Sequence, residues 1–189
     1  IPEVTPQARE RFAAYAAALG RTGSAAVPEG RGEGVEDGTE GGTDGRGQRA
    51  DHPEDRRLSE RCVIWAPLPR LPGGYNNHVR IVQQPGYVMI EHEMIHDARV
   101  VPLDGRPHLP KNVRLWLGVS RGHWEGNTLV VDTTNFDDKA PFRGSFANMH
   151  LVERFTRVDA DTVNYEVRIE DPSTFVRPWT IAFPLTRPD

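Results

Sequence analysis

Downstream of Tyr75, apolar and polar residues alternate with a period of two, the repeat of a strand that buries one face. The cleanest stretch is Thr162 to Glu170: Val163, Tyr165, Val167 and Ile169 fall on one side, and Asn164, Glu166, Arg168 and Glu170 on the other. Met149 to Val158 and Phe175 to Phe183 flank it in a meander, joined by Asp159-Ala160-Asp161 and Asp171-Pro172-Ser173. Earlier, Val79 to Val82 reads as a strand, Gln83-Gln84-Pro85-Gly86 as a turn, and Tyr87 as the start of the next strand. Ala98 to Leu103 is a further strand, closed by Asp104-Gly105. Trp124-Glu125-Gly126-Asn127 is a hairpin turn leading into Thr128 to Asn135. A short helix is expected over Lys111 to Leu117, between Pro110 and the stop signal Gly118. Strands joined by tight turns, with no helix among the last three, predict a mainly β fold. The expected form is an antiparallel curled sheet or a lipocalin-like β-barrel rather than βαβ units.

The pattern before Tyr75 is different. Thr5 as N-cap and Pro6 at the first helical position open an N-terminal helix, which Gly20 stops. Phe12, Tyr15, Ala16 and Leu19 give that helix an apolar docking stripe. Between Gly20 and Gly47 lie more than half of the chain's 18 glycines, mixed with charged residues and almost nothing apolar. Such a stretch buries too little surface to offset its ordering entropy, so it reads as a disordered linker. The expected organisation is therefore a helix over 1–20, a Gly/Asp/Glu-rich linker over 21–53 and an antiparallel β domain over 54–189. That domain begins with a short helix near Glu54 to Cys62 and a bridge containing Pro67, Pro69 and Pro72.

Composition narrows the function classes. A net charge of −4, with arginines scattered among acids, gives no electrostatic case for nucleic acid or an anionic membrane surface. No run reaches the apolar length of a membrane span. Cys62 is the sole cysteine, which excludes an intrachain disulfide and a thiolate zinc cluster; it reads as a small half-buried residue. Ser120, Ser145 and Ser173 lack a nucleophile elbow, and no glycine-rich phosphate loop joins a strand to a helix.

The sharpest chemical signal is His92-Glu93-Met94-Ile95-His96, which spells H-E-x-x-H. On a helix the two imidazoles stand about 6 Å apart and can grip one zinc ion, with Glu93 as base. On a strand they lie roughly 13 Å apart. Tyr87 to Val101 has room for one helix or for two strands with a kink. Met89, Glu91, Glu93, Met94 and Ala98 favour the helix, whereas Tyr87-Val88, Val100-Val101 and the missing N-cap favour strands. Asp97 follows the second histidine where zinc proteases usually have an uncharged residue, and Glu125, His108 and His123 stand in no third-ligand motif. The favoured reading is a polar strand without a metal, and the alternative is a zinc hydrolase with His92 and His96 as ligands. In the strand reading, Glu93, His96, Asp97 and Arg99 crowd a segment that should partly face a core. They are candidate acid–base residues provided a bulge brings them together. Arg106 and His108 rim the Asp104-Gly105 turn. Trp116, Arg121 and Trp124 form an aromatic and cationic cluster, with Asn76 and Asn77 as further ligand-binding candidates. Glu153-Arg154 and Glu166/Arg168 read as cross-strand ion pairs on a polar face.

Tyr75-Asn76-Asn77, Glu93 to Arg99, Asp104 to His108, Ser120-Arg121-Gly122, Trp124-Glu125-Gly126 and Val131 to Phe136 together resemble an uncharacterised family of exported bacterial proteins. The resemblance spans about the last two-thirds of the chain. It implies a secreted or periplasmic location and a precursor extending before Ile1; it brings no established activity and no catalytic residue. The functional expectation is a β-barrel that binds a small, partly apolar or aromatic molecule, with metal-independent acid–base chemistry as a variant. A zinc hydrolase and a structural or adhesive module are the alternatives.

Overall fold

The computed structural model describes residues 2–18, 58–74, 77–138 and 142–187, with the side chains of residues 15–18 excepted. The expected linker therefore lies outside the described residues, as do Leu19, Asn76 and most of the helix expected near Glu54 to Cys62. The described part of that helix, Leu58 to Cys62, is a turn.

Helix α1 spans Pro6–Ala18. Thr5 Oγ1 accepts the backbone N–H of Ala8 at 3.1 Å, satisfying one of the helix's orphan donors. The helix is anchored to the β structure at its start. Val4 bridges Phe175, the Thr5 N–H donates to the Thr174 carbonyl at 2.8 Å, and Val4 and Ala8 are buried. Phe12 packs against Gly144 so closely that a Cβ there would meet its ring at 2.0 Å.

Among the described residues eight strands follow: β1 (Val79–Gln84), β2 (Tyr87–His92), β3 (Ala98–Pro102), β4 (Val119–Glu125), β5 (Thr128–Thr134), β6 (His150–Arg157), β7 (Thr162–Glu170) and β8 (Trp179–Thr186). They form an antiparallel three-stranded sheet, β1-β2-β3, and an antiparallel five-stranded meander, β4-β5-β6-β7-β8. The fold is mainly β, as the alternation predicts, but the described residues form no closed barrel. The expected helix over Lys111 to Leu117 is replaced by turns. Leu115 bridges Phe136, and Gly118, at φ +69°, turns the chain into β4. Glycine is required there, because a Cβ would meet Thr133 Cγ2 and the Thr134 carbonyl oxygen, both at 2.7 Å.

The core lies on the inner faces of the strands. Val88, Ile90, Val101, Val131, Leu151, Val167 and Ile169 are buried, each at positions of one parity along its strand. The two sheets meet where β3 crosses β4. Val101 and Leu103 lie over Gly122, whose absent side chain makes the approach possible: a Cβ would stand 2.8 Å from each of them. Gly122→Ala is therefore expected to cost about 1 kcal/mol through overpacking, relieved in part by side-chain rotation. Urea unfolding checks this, and an unchanged midpoint would mean that the sheets do not meet at Gly122. Among the described residues no helix is long and apolar enough to cross a membrane.

Candidate functional site

Between the inner faces of the two sheets lies a cavity of about 1090 Å³. Val79, Ile81 and Ile90 line it from the smaller sheet, and Phe155, Val163, Phe183 and Leu185 from the larger. The proline-rich bridge, with Ile64, Ala66 and Leu68 buried, lies along another side and presents Trp65 and Arg70. Strand alternation explains the apolar lining, because the apolar residues named here keep the inward parity of their strands.

Buried polar groups interrupt that lining around Arg99 and Glu153. Arg99 and Glu153, with side-chain exposures of 5% and 2%, form a fork-to-fork pair with N···O distances of 2.6 and 2.9 Å. The Tyr165 hydroxyl donates to Glu153 Oε1 at 2.9 Å, reaching diagonally from β7 to β6. Its ring is held between Phe155 and Phe183, at centroid distances of 4.9 and 5.1 Å. Burial, with the neighbouring Glu153 carboxylate, pushes the Tyr165 phenol well above its ordinary range. Burial disfavours the Arg99 cation, but Glu153 outweighs it and raises the guanidinium pKa. Asp97 is buried beside this pair. Its Oδ2 accepts the Trp65 backbone N–H at 2.9 Å and pairs with Arg70, tying the proline-rich bridge to the start of β3.

The pentad is neither a helix nor a continuous strand. β2 ends at His92, a single 3-10 turn covers Met94–His96, and Ile95 and His96 are left-handed at φ 58° and 57°. His92 keeps the parity of Val88 and Ile90 and lines the cavity. His96 is exposed and borders a separate cleft of about 450 Å³ with Trp116 and Arg121. The turn is therefore not the regular helical turn on which the H-E-x-x-H signature depends. Among the described residues no group of three or more His, Cys, Asp and Glu side chains is placed to hold a metal ion. The His92 Nε2 atom is buried without a hydrogen-bond partner among the described residues. Burial, reinforced by the Arg70 and Arg99 charges, lowers the His92 pKa to about 3, so the ring is neutral at physiological pH.

The other sequence candidates are dispersed. Glu93 is exposed and accepts the His78 backbone N–H at 3.4 Å, so it does not join Asp97 and Arg99. Asn77 lines the cavity mouth, where its side chain closes a turn with Gly73 at 2.7 and 2.9 Å. Arg106 is exposed, pairs with Asp104 and donates to the Tyr87 hydroxyl at 3.2 Å. Arg121 donates to the Pro107 carbonyl at 2.9 Å, and Trp124 is exposed. Cys62 is exposed rather than half-buried.

His108 belongs to a cluster on the outer face of the larger sheet. There Asp132 accepts from His108 Nε2 at 2.8 Å and from His150 Nε2 at 2.7 Å. The hydrogen bond to Asp132 raises the His150 pKa. Burial works against the Asp132 carboxylate, but the two imidazoles prevail and lower its pKa.

Glu153 corrects the expected surface pair with Arg154. Arg154 points outward and binds Glu125 at 2.7 Å, whereas Glu153 points inward with Leu151 and Phe155. That parity was readable in the sequence. Arg70 carries no such signal, because nothing in the proline-rich segment fixes which way its side chains point.

Comparison with protein-family models, curated proteins and solved structures returned no significant match.

Proposed function

We propose that this chain binds a small, partly apolar molecule in the cavity between its two sheets. The observation that carries the proposal is the combination of a large apolar cavity with a compact set of polar groups, buried Arg99, Glu153 and Tyr165 and half-buried His92, at one place in its wall. Apolar walls with a few fixed polar groups are the usual make-up of a small-molecule site, where apolar burial supplies affinity and the polar groups orient the ligand. The buried ion pair fits this reading better than a purely stabilising role, since a buried pair seldom outperforms apolar side chains of similar volume. A secreted or periplasmic location, implied by the family resemblance, belongs to the same proposal.

The test is uptake of Nile red, an uncharged apolar dye that brightens in apolar surroundings. Wild-type protein is expected to bind it saturably. Ile81→Trp, which fills the cavity from β1, is expected to weaken binding by about tenfold or more while leaving the circular dichroism spectrum unchanged. Absence of saturable binding by the wild type would overturn the proposal and favour a structural module. Equal binding by a folded Ile81→Trp variant would place the dye elsewhere and also overturn it.

A further inference from the structure

We infer that the cavity selects an uncharged amphiphile, an apolar chain bearing a hydroxyl or carbonyl group, over a fatty acid or an alkylamine of the same length. The inference rests on the ligand-binding reading above and adds the class of head group.

It follows from how the interior charges are matched. Arg99 is paired with Glu153 and Arg70 with Asp97, and no side chain of the four is more than 10% exposed. Both Glu153 oxygens are engaged, Oε2 by Arg99 and Oε1 by Arg99 and the Tyr165 hydroxyl. Asp97 Oδ2 takes the Trp65 N–H as well as Arg70. Among the described residues, the buried polar atoms left without a protein partner in this wall are Arg70 Nε, Arg99 Nε and His92 Nε2. Two of these are fixed donors and the third is a neutral ring nitrogen, so the unmet capacity suits an acceptor oxygen. All three are sealed from solvent, so an oxygen reaches them only as side chains of the wall shift.

An ionised head group has no such place. A carboxylate would be an unmatched negative charge beside two balanced pairs, and it could gain a counterion only by displacing Glu153 or Asp97. An ammonium would lie near two guanidinium groups, with both Glu153 oxygens already occupied. The charges at the mouth do not reverse the preference, because both signs occur there. Arg187 stands 3.8 Å from Asp161, Arg157 donates to the Asp159 carbonyl at 2.9 Å, and His78 is exposed. The remaining walls, Val79, Ile81, Val163, Phe183 and Leu185, are apolar.

The experiment is competition against Nile red on the full chain with dodecanol, dodecanoate and dodecylamine, each below its micelle concentration and near neutral pH. Dodecanol is expected to displace the dye with an inhibition constant about tenfold or more below those of the two charged probes. Glu153→Gln keeps an acceptor for Tyr165 but leaves Arg99 unmatched. It is expected to reverse the order and favour dodecanoate. If Nile red binds but dodecanoate or dodecylamine competes as well as dodecanol, or if none of the three competes, the head-group inference fails and the cavity reading stands. If Nile red itself does not bind, the cavity reading fails and takes the inference with it. Should Glu153→Gln not fold, the wild-type order of the three probes still decides.

Discussion

Glu153→Leu is expected to destabilise the protein by about 3–5 kcal/mol, because it leaves the Arg99 guanidinium buried without its counterion. Arg99 is 5% exposed and its two terminal nitrogens bind the Glu153 oxygens at 2.6 and 2.9 Å, so no solvent route to compensation is open. The Tyr165 hydroxyl loses its acceptor in the same variant, adding the cost of a buried unsatisfied donor. Arg99→Met is expected to cost a similar amount, with Glu153 then the stranded charge. The double variant Arg99→Met/Glu153→Leu should recover most of the loss, since both desolvation penalties disappear with the charges. Urea unfolding of the four proteins gives the coupling energy directly. A single variant costing under about 1 kcal/mol would show that the pair is hydrated in solution rather than sealed as the structure has it. A double variant near wild-type stability would mean that the fold does not need the pair, leaving ligand recognition as the reason for its presence.

Local pattern made the larger sheet readable. β7 occupies Thr162 to Glu170 with Tyr165, Val167 and Ile169 buried, because period-two alternation was unbroken there. β4 was harder to see. Its inward residues include Gly122, which leaves room for β3, so its burial pattern depends on a strand that it does not pair with. The helix expected before it failed for a related reason: Pro110 and Gly118 are helix punctuation, but Gly118 instead serves a left-handed turn pressed against Thr133 and Phe136. For the candidate site, sequence pattern pointed to the crowded run from Glu93 to Arg99 but gave no partners. Arg99 meets Glu153 at a separation of 54 residues and Arg70 meets Asp97 at 27, pairings that only the packing of separate elements creates. The spelling of the pentad gave equal weight to His92 and His96. The left-handed backbone at Ile95 and His96 separates them, leaving one on the cavity wall and the other exposed.

That separation gives His92 a measurable signature in acid. In the unfolded chain its imidazole titrates near 6.5, whereas in the folded protein burial, then the charges of Arg70 and Arg99, hold it at about 3. A histidine with a depressed folded pKa binds its proton more readily when unfolded. Its effect is absent above the unfolded pKa and grows as the pH falls from 6.5 toward 3. At about pH 5 the expected loss is about 2 kcal/mol relative to about pH 8. His92→Gln removes the ionisation while keeping a polar side chain, so the wild-type protein should lose that much more stability than the variant over the same interval. Urea unfolding of both proteins at a series of pH values isolates the contribution, because every other titrating group is common to the two. Parallel stability curves would mean that His92 takes up its proton in the folded state, placing a third positive charge beside Arg70 and Arg99. The charge matching that favours an uncharged ligand would then fail in mild acid. Curves that diverge below about pH 6.5 would instead locate a neutral imidazole in the cavity wall, the state that the charge matching behind an uncharged ligand requires.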